Sequence, residues 1–282
     1  MLSRLALLFL SSVIGFFCLQ PTLAGSHHGE GMTRYLRFKV EGRVAYGILT
    51  GDKVKELGGD LFGSWWKTEI THNLEDVKIL VPSVPSKVMA LAGNYKSHIG
   101  ESKPPANPEP FLKTPSSLQR HKGNIVQPDD HEPVHYEAEV VIVIGRHAKN
   151  VSKEQALDYV LGITNGNDIS ARDWQKGDVQ WWRAKASDTF SPCGPYVLSA
   201  SDYAGLNMTL RVNGEVKQKT NTDNMIHGIR ETVSFISRYM TLEPGDLIFT
   251  GTPGKTTGMM PGDVVTVEID KVGVLSNTVV KE

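Results

Sequence analysis

Residues 134–145 read VHYEAEVVIVIG. From Val140 onward it is a β-branched apolar run, the kind that fills the inside of a sheet covered on both faces. It opens with Glu137 and Glu139, which a strand places on the same side. Two neighbouring carboxylates on a buried strand repel each other and lose hydration, so each needs a proton or a cation. The question the stretch raises is which cation sits there, and for what chemistry.

Working outward, Ser152-Lys-Glu-Gln155 forms a capping-box arrangement ahead of Ala156, Leu157, Val160 and Leu161, whose spacing predicts a helix ended by Gly162. A second helix is predicted over about 225–240, with Ile226, Ile229, Val233 and Ile236 on one face. Two similar turn–strand units follow, EPGDLIFTGTP and MPGDVVTVEID, and VEIDKVGVLSNTVV reads as a closing hairpin. Upstream, YLRFKV, VAYGILTG and DKVKEL alternate as a small antiparallel meander. The pattern is that of an α+β, β-rich protein. VPSVP, near 81–85, marks a boundary, and KPPANPEP (103–110) reads as a loop.

The chain has 282 residues and a net charge of −1, which gives no basic footprint for nucleic acid or an anionic membrane surface. Its first 24 residues carry Arg4, an apolar stretch from Leu5 to Leu19, then Thr22-Leu23-Ala24, the pattern of a secretory signal. The expectation is export, to the periplasm or outside the cell, with no membrane contact once the leader is cleaved. A start at Met32 would give a cytoplasmic form. Residues 25–31 are a polar, Gly-rich linker. Cleavage removes Cys18 and leaves Cys193 alone, so the mature chain can form no internal disulfide.

A third carboxylate joins the glutamate pair: Asp168, in NGNDISARDWQ. Three carboxylates supply only hard oxygen donors, which suits Mg²⁺ or Mn²⁺ rather than zinc. His98 and Glu101 stand three apart in NYKSHIGE, so one helical turn would put both on one face and make a water-activating base. Lys185 supplies a cation near the acids. Cys193 has no evident His partner and reads as structural. The Trp65-Trp66 and Trp181-Trp182 pairs read as packing or substrate-wall residues. GTPGKTTG (251–258) is not a phosphate loop, because the position that needs the first glycine is Phe249.

Seven stretches, LAGNYKSHIGE, FLKTPSSL, HYEAEVVIVIG, GNDISARDWQ, RAKASDTFSPCGP, LIFTGTPGKTTG and PGDVVTVEI, resemble in order those of the fumarylacetoacetate hydrolase superfamily. The resemblance implies a mixed β-roll catalytic domain over 85–282, a small N-terminal β domain over 32–84, and a homodimer. It implies that Glu137, Glu139 and Asp168 hold one Mg²⁺ or Mn²⁺ per subunit. His98 and Glu101 match the water-activating dyad of the smaller members. Arg172, Gln175, Lys185 and Thr252 match positions that line the substrate and stabilise its oxyanion, with Lys113 as a neighbour. A further metal-binding Asp that fumarylacetoacetate hydrolase proper carries ahead of its His is absent from Leu91-Ala-Gly-Asn94. That points to the smaller acylpyruvase and decarboxylase branch.

The expected activity is hydrolysis of a C–C bond in an acylpyruvate-type 2,4-dioxo acid, through an enolate that the metal stabilises. The alternative is a metal-dependent 2-oxo acid decarboxylase of the oxaloacetate type, or a hydroxy-dienoate isomerase or hydratase. A reading of another class, an exported protein that binds small carboxylates without turnover, would not need a water-activating base.

Overall fold

In the computed structural model, which describes residues 31–130 and 133–282, the strand Ala138–Ile144 is buried along its whole length. The predicted leader and all of the linker but Gly31 lie outside the described residues. Ala138–Ile144 runs antiparallel to Val160–Asn167 on one side and to Leu247–Phe249 on the other. Val160–Asn167 pairs antiparallel with Ser191–Ser199, while Leu247–Phe249 pairs in parallel with Val88–Ala92. Glu109–Lys113 closes that edge, giving the centre of a 12-stranded mixed sheet.

Both faces of the central strand are covered, which explains its unbroken apolar run. Val140, Ile142 and Ile144 pack with Leu210, Val267 and Leu275 of a second, five-stranded sheet. Val141 and Val143 pack on the opposite side with Val88, Ala90, Leu247 and Phe249. Full burial of each such side chain contributes about 1.5–3 kcal/mol. Glu139 shares the strand parity of Val141 and Val143, so its carboxylate points to the side where Phe249 packs.

The meander forms as expected. Thr33–Val40, Arg43–Thr50, Lys53–Gly59 and Trp65–Asn73 pair antiparallel in sequence order. Thr33–Val40 also pairs with Ser191–Ser199, so the meander extends the central sheet. The hairpin of Val264–Ile269 and Gly273–Lys281 forms as well. Among the described residues, no helix is long and apolar enough to cross a membrane.

Two helix expectations are corrected. The stretch 152–162 does not form a helix: Ala156–Tyr159 is a single 3₁₀ turn, and Val160–Asn167 is a strand. An apolar run buried on all sides suits a helix and a doubly covered strand alike. Gly162 is a point of close strand approach rather than a helix stop, since a Cβ there would lie 2.3 Å from the Leu198 carbonyl oxygen. The second helix spans Ile229–Tyr239, with Val233 and Ile236 in the core, and begins later than predicted. Its expected first turn is not helical because Asn94 takes two of its amides: the Ile226 N–H donates to the Asn94 carbonyl at 2.8 Å, and the His227 N–H to Asn94 Oδ1 at 2.7 Å.

Candidate active site

The acidic residues meet where two central strands are stitched together at one end. The Glu137 N–H donates to Asn167 Oδ1 at 2.8 Å, and the Asp168 N–H donates to the Glu137 carbonyl at 2.9 Å. This brings Glu137, Glu139 and Asp168 together, all buried, with ligand oxygens within 4.8 Å of one another. The Gly251 N–H donates to Glu139 Oε2 at 2.6 Å.

Three cations face these acids. Lys185, on the short helix Trp182–Ala186, donates to Glu137 Oε2 at 2.5 Å and to Asp168 Oδ2 at 2.8 Å. Lys113, at the end of the edge strand, donates to Asp168 Oδ1 and to the carbonyls of Lys185 and Phe190. Arg172, at the start of the helix Arg172–Gly177, donates to Glu137 Oε1, to Thr256 Oγ1 at 2.7 Å and to Gln175 Oε1 at 2.7 Å.

The electrostatic consequences differ across the triad. Burial would raise the Glu137 carboxyl, but Lys185 and Arg172 overcome that and bring it down to about 2. Burial, then the charges of Asp168 and Glu137, push Glu139 well above the usual carboxylate range. Burial also opposes the Lys185 charge, yet Asp168 and Glu137 outweigh it and raise its pKa, so Lys185 stays an ammonium. Of the three acids, Glu139 is the one that the protein's own cations leave short of a counter-charge.

A cavity of about 110 Å³ opens onto Glu137 and Asp168, with His98, Arg172, Gln175, Lys185 and Thr252 on its wall. The structure therefore brings together every expected site residue but Glu101, with Lys113 reaching Asp168 from outside the cavity wall. Glu139 lies buried behind the opening, within the triad. Glu101 is not assembled with the rest. The helix carrying His98 is a single turn, Lys96–Ile99, ended by Gly100 at φ +61°, and Glu101 beyond it is exposed. Among the described residues, no hydrogen bond or ion pair joins Glu101 to His98. His98 Nδ1 instead lies 2.6 Å from the Gly254 carbonyl oxygen. A carbonyl only accepts, so Nδ1 carries the proton and Nε2 is the basic nitrogen.

Several contributors were not legible in the sequence. Gln218 donates to Thr252 Oγ1 at 3.0 Å and to the Pro253 carbonyl at 2.6 Å, and its Oε1 accepts from the Ala138 N–H at 2.9 Å. It ties the 252–253 loop to the triad strand. Its burial follows from a register shift that leaves Lys217 as an extra residue, a feature with no sequence signal. Phe111 and Trp181 form an edge-to-face pair on the cavity wall, so Trp181 lines the cavity that the acids face. Trp65 packs edge-on against Tyr35 and does not line this cavity. Cys193 is buried, and burial pushes its thiol up, as befits a structural residue.

The donor set fits a divalent ion: three carboxylates, all oxygen, converging from two strands, with no His or Cys among them. Residues 87–280 match the family described as fumarylacetoacetate (FAA) hydrolase C-terminal. The chain belongs to the fumarylacetoacetate hydrolase family. Residues 33–82 match a second family, described as Rv2993c-like, N-terminal. Among relatives, Protein Rv2993c of Mycobacterium tuberculosis is 44% identical over 251 residues, covering 85% of this chain and 95% of its own. Oxaloacetate tautomerase fahd2, mitochondrial, of Xenopus laevis is 38% identical over 220 residues, 73% of this chain and 69% of its own. Among solved structures, 2-hydroxyhepta-2,4-diene-1,7-dioate isomerase from Mycobacterium marinum superposes with a TM-score of 0.83 at 40% identity, over 89% of this chain and 99% of that one. Members of this family are enzymes acting on small carboxylates, and the acidic triad is where a family member would hold its metal.

Proposed function

We propose that the protein is a divalent-metal-dependent hydrolase that cleaves the C–C bond of acylpyruvate-type 2,4-dioxo acids. The observation that carries this reading is the convergence of an all-oxygen acidic triad, His98 and Lys185 at one small cavity. Glu137, Glu139 and Asp168 would hold Mg²⁺ or Mn²⁺, which when bound supplies Lewis acidity toward the oxygens of a 2-oxo acid. With all three acids ionised, as ligands to a metal would be, they and the cations Lys113, Lys185 and Arg172 balance in charge. A divalent ion would therefore leave the site positive, ready for a substrate carboxylate and a developing oxyanion.

His98 acts through Nε2, with Nδ1–H anchored on the Gly254 carbonyl. It accepts a proton from a water that adds to the distal carbonyl of the substrate. The C–C bond then breaks, and its electron pair passes to the pyruvate portion as an enolate. Lys185 and Arg172 offset the charge that develops there. The proton held on His98 returns to the enolate carbon, leaving pyruvate and a carboxylic acid.

A second reading is favoured by the exposed position of Glu101 and by the names of the tautomerase and the isomerase above. The same base and the same enolate, without attack of water, give tautomerisation, isomerisation or decarboxylation of a 2-oxo acid. One pair of assays separates the readings: loss of acetylpyruvate and of oxaloacetate with Mg²⁺, each repeated with a chelator. Chelator-sensitive cleavage of acetylpyruvate is expected. Turnover of oxaloacetate alone would replace the first reading by the second.

A further inference from the structure

Next to the small cavity lies a second and larger one, of about 580 Å³. The two share Ala92, Phe111 and Trp181 as lining, so the edge-to-face pair of Phe111 and Trp181 stands between them. The inner cavity alone is smaller than the usual range for a ligand site, about 300–1,000 Å³, whereas the outer one falls within it. The inner one has room for little more than the 2-oxo acid end of a substrate.

The outer cavity differs from the inner one in chemistry. Leu112, Val179, Trp181 and Trp182 line it, and among the described residues its only charged lining residues are Glu109 and Lys113. Lys113 is spent, since its buried ammonium already faces Asp168 and two carbonyls. Glu109 is exposed and repels an anion. The loop that carries Val179 leads into the helix that begins at Trp182, and Arg183 of that helix grips Asp178 across the loop through two hydrogen bonds of 2.8 and 2.9 Å. This segment holds both apolar side chains out toward solvent, Trp182 at 66% and Val179 at 101% exposure. Apolar side chains presented on a pinned segment beside a catalytic cavity are surface that a ligand can cover.

We infer that this outer chamber receives the distal group of the substrate, and that it selects an apolar or aromatic group against a second carboxylate. The inference rests on the proposed 2-oxo acid chemistry of the inner cavity and names its substrate class. A terminal carboxylate entering the chamber would lose water, meet no free cation and face Glu109. A phenyl or branched alkyl group would instead bury against Trp181, Trp182 and Leu112.

The test uses the Mg²⁺-loaded protein and reads binding and cleavage separately. Phenylpyruvate and 2-oxoglutarate are titrated by thermal shift, since both carry the 2-oxo acid end and differ at the far end. Phenylpyruvate is expected to half-saturate at a concentration lower by about tenfold, the discrimination a hydrophobic pocket delivers. In parallel, kcat/KM is compared for a 2,4-dioxo acid bearing a distal phenyl group and for one of matched length ending in a carboxylate. The same order is expected, and Val179→Arg, which adds a cation at the mouth, should shrink or reverse the ratio. No cleavage of either compound with the binding order kept would overturn the hydrolase reading and leave this inference standing. Equal or reversed binding, no binding of either probe, or a ratio indifferent to Val179→Arg would overturn the inference.

Discussion

Replacing Lys113 by Met isolates the electrostatic role of a lysine that sequence reading placed only as a neighbour. The side chain of Lys113 is wholly buried, and its ammonium has three acceptors: Asp168 and the carbonyls of Lys185 and Phe190. Met fills nearly the same volume, so Lys113→Met opens no cavity and removes only charge and hydrogen bonds. Burial pushes the Lys113 pKa down, and Asp168 pulls against it. Three N–H donors facing three acceptors fit the charged form. Removing one partner of a buried pair typically costs about 3–5 kcal/mol. Asp168 keeps Lys185 at 2.8 Å, which places the expected loss at the low end of that range. At about 2–4 °C per kcal/mol for a chain of this size, a loss near 3 kcal/mol lowers Tm by about 6–12 °C. Thermal unfolding followed by circular dichroism in a chelator measures this. Adding Mg²⁺ should recover part of the deficit, because Asp168 is among the proposed ligands. A variant as stable as the parent in chelator would refute the reasoning.

Other predictions follow from the same structure. His121 Nδ1 accepts from the Ser276 N–H at 3.1 Å, and burial, with Lys122 and Arg120 beside it, pushes its pKa down to about 4. The unfolded chain takes up that proton near pH 6.5 and the native state does not, so this contribution is full above pH 6.5 and lost as pH falls toward 4. After discounting for partial exposure it amounts to about 1–2 kcal/mol between pH 7 and pH 4.5, read from urea midpoints; an equal slope in His121→Asn would contradict it. Gly162→Ala, with its Cβ 2.3 Å from the Leu198 carbonyl oxygen, should cost at least about 1–3 kcal/mol, and parent-like stability would contradict the strand assignment. His98→Ala should lower kcat by about 10²–10⁴ with the fold intact, whereas Glu101→Gln should retain most of the rate. Equal losses in the two variants would mean that Glu101 joins His98 over bound substrate.

What the sequence revealed and what it hid divide along physical lines. The run from Val140 to Ile144 was legible because every residue in it is β-branched, which favours a strand covered on both faces over a buried helix. The triad was legible because carboxylates on such a strand demand a partner. The stretch from Ala156 to Leu161 misled, since its apolar spacing fits a helix and a buried strand equally, and the neighbouring strands decided between them. Glu101 misled because three-residue spacing puts two side chains on one face only if the helix continues, and Gly100 ends it. Gln218 and the acceptors of Lys113 were invisible. Both depend on pairings between segments distant in the chain, and the burial of Gln218 depends on a bulge besides. The pairing of Thr33–Val40 with Ser191–Ser199 was hidden for the same reason.

The measurement that tests the central claim most directly is Mn²⁺ binding followed by paramagnetic resonance, on the parent protein and on Asp168→Asn and Glu139→Gln. The account predicts one bound ion per chain in the parent, and a large loss of affinity in both variants, since each removes a carboxylate from a three-carboxylate set. Undiminished Mn²⁺ binding in both variants would contradict it, and would place the metal somewhere other than the cluster of Glu137, Glu139 and Asp168.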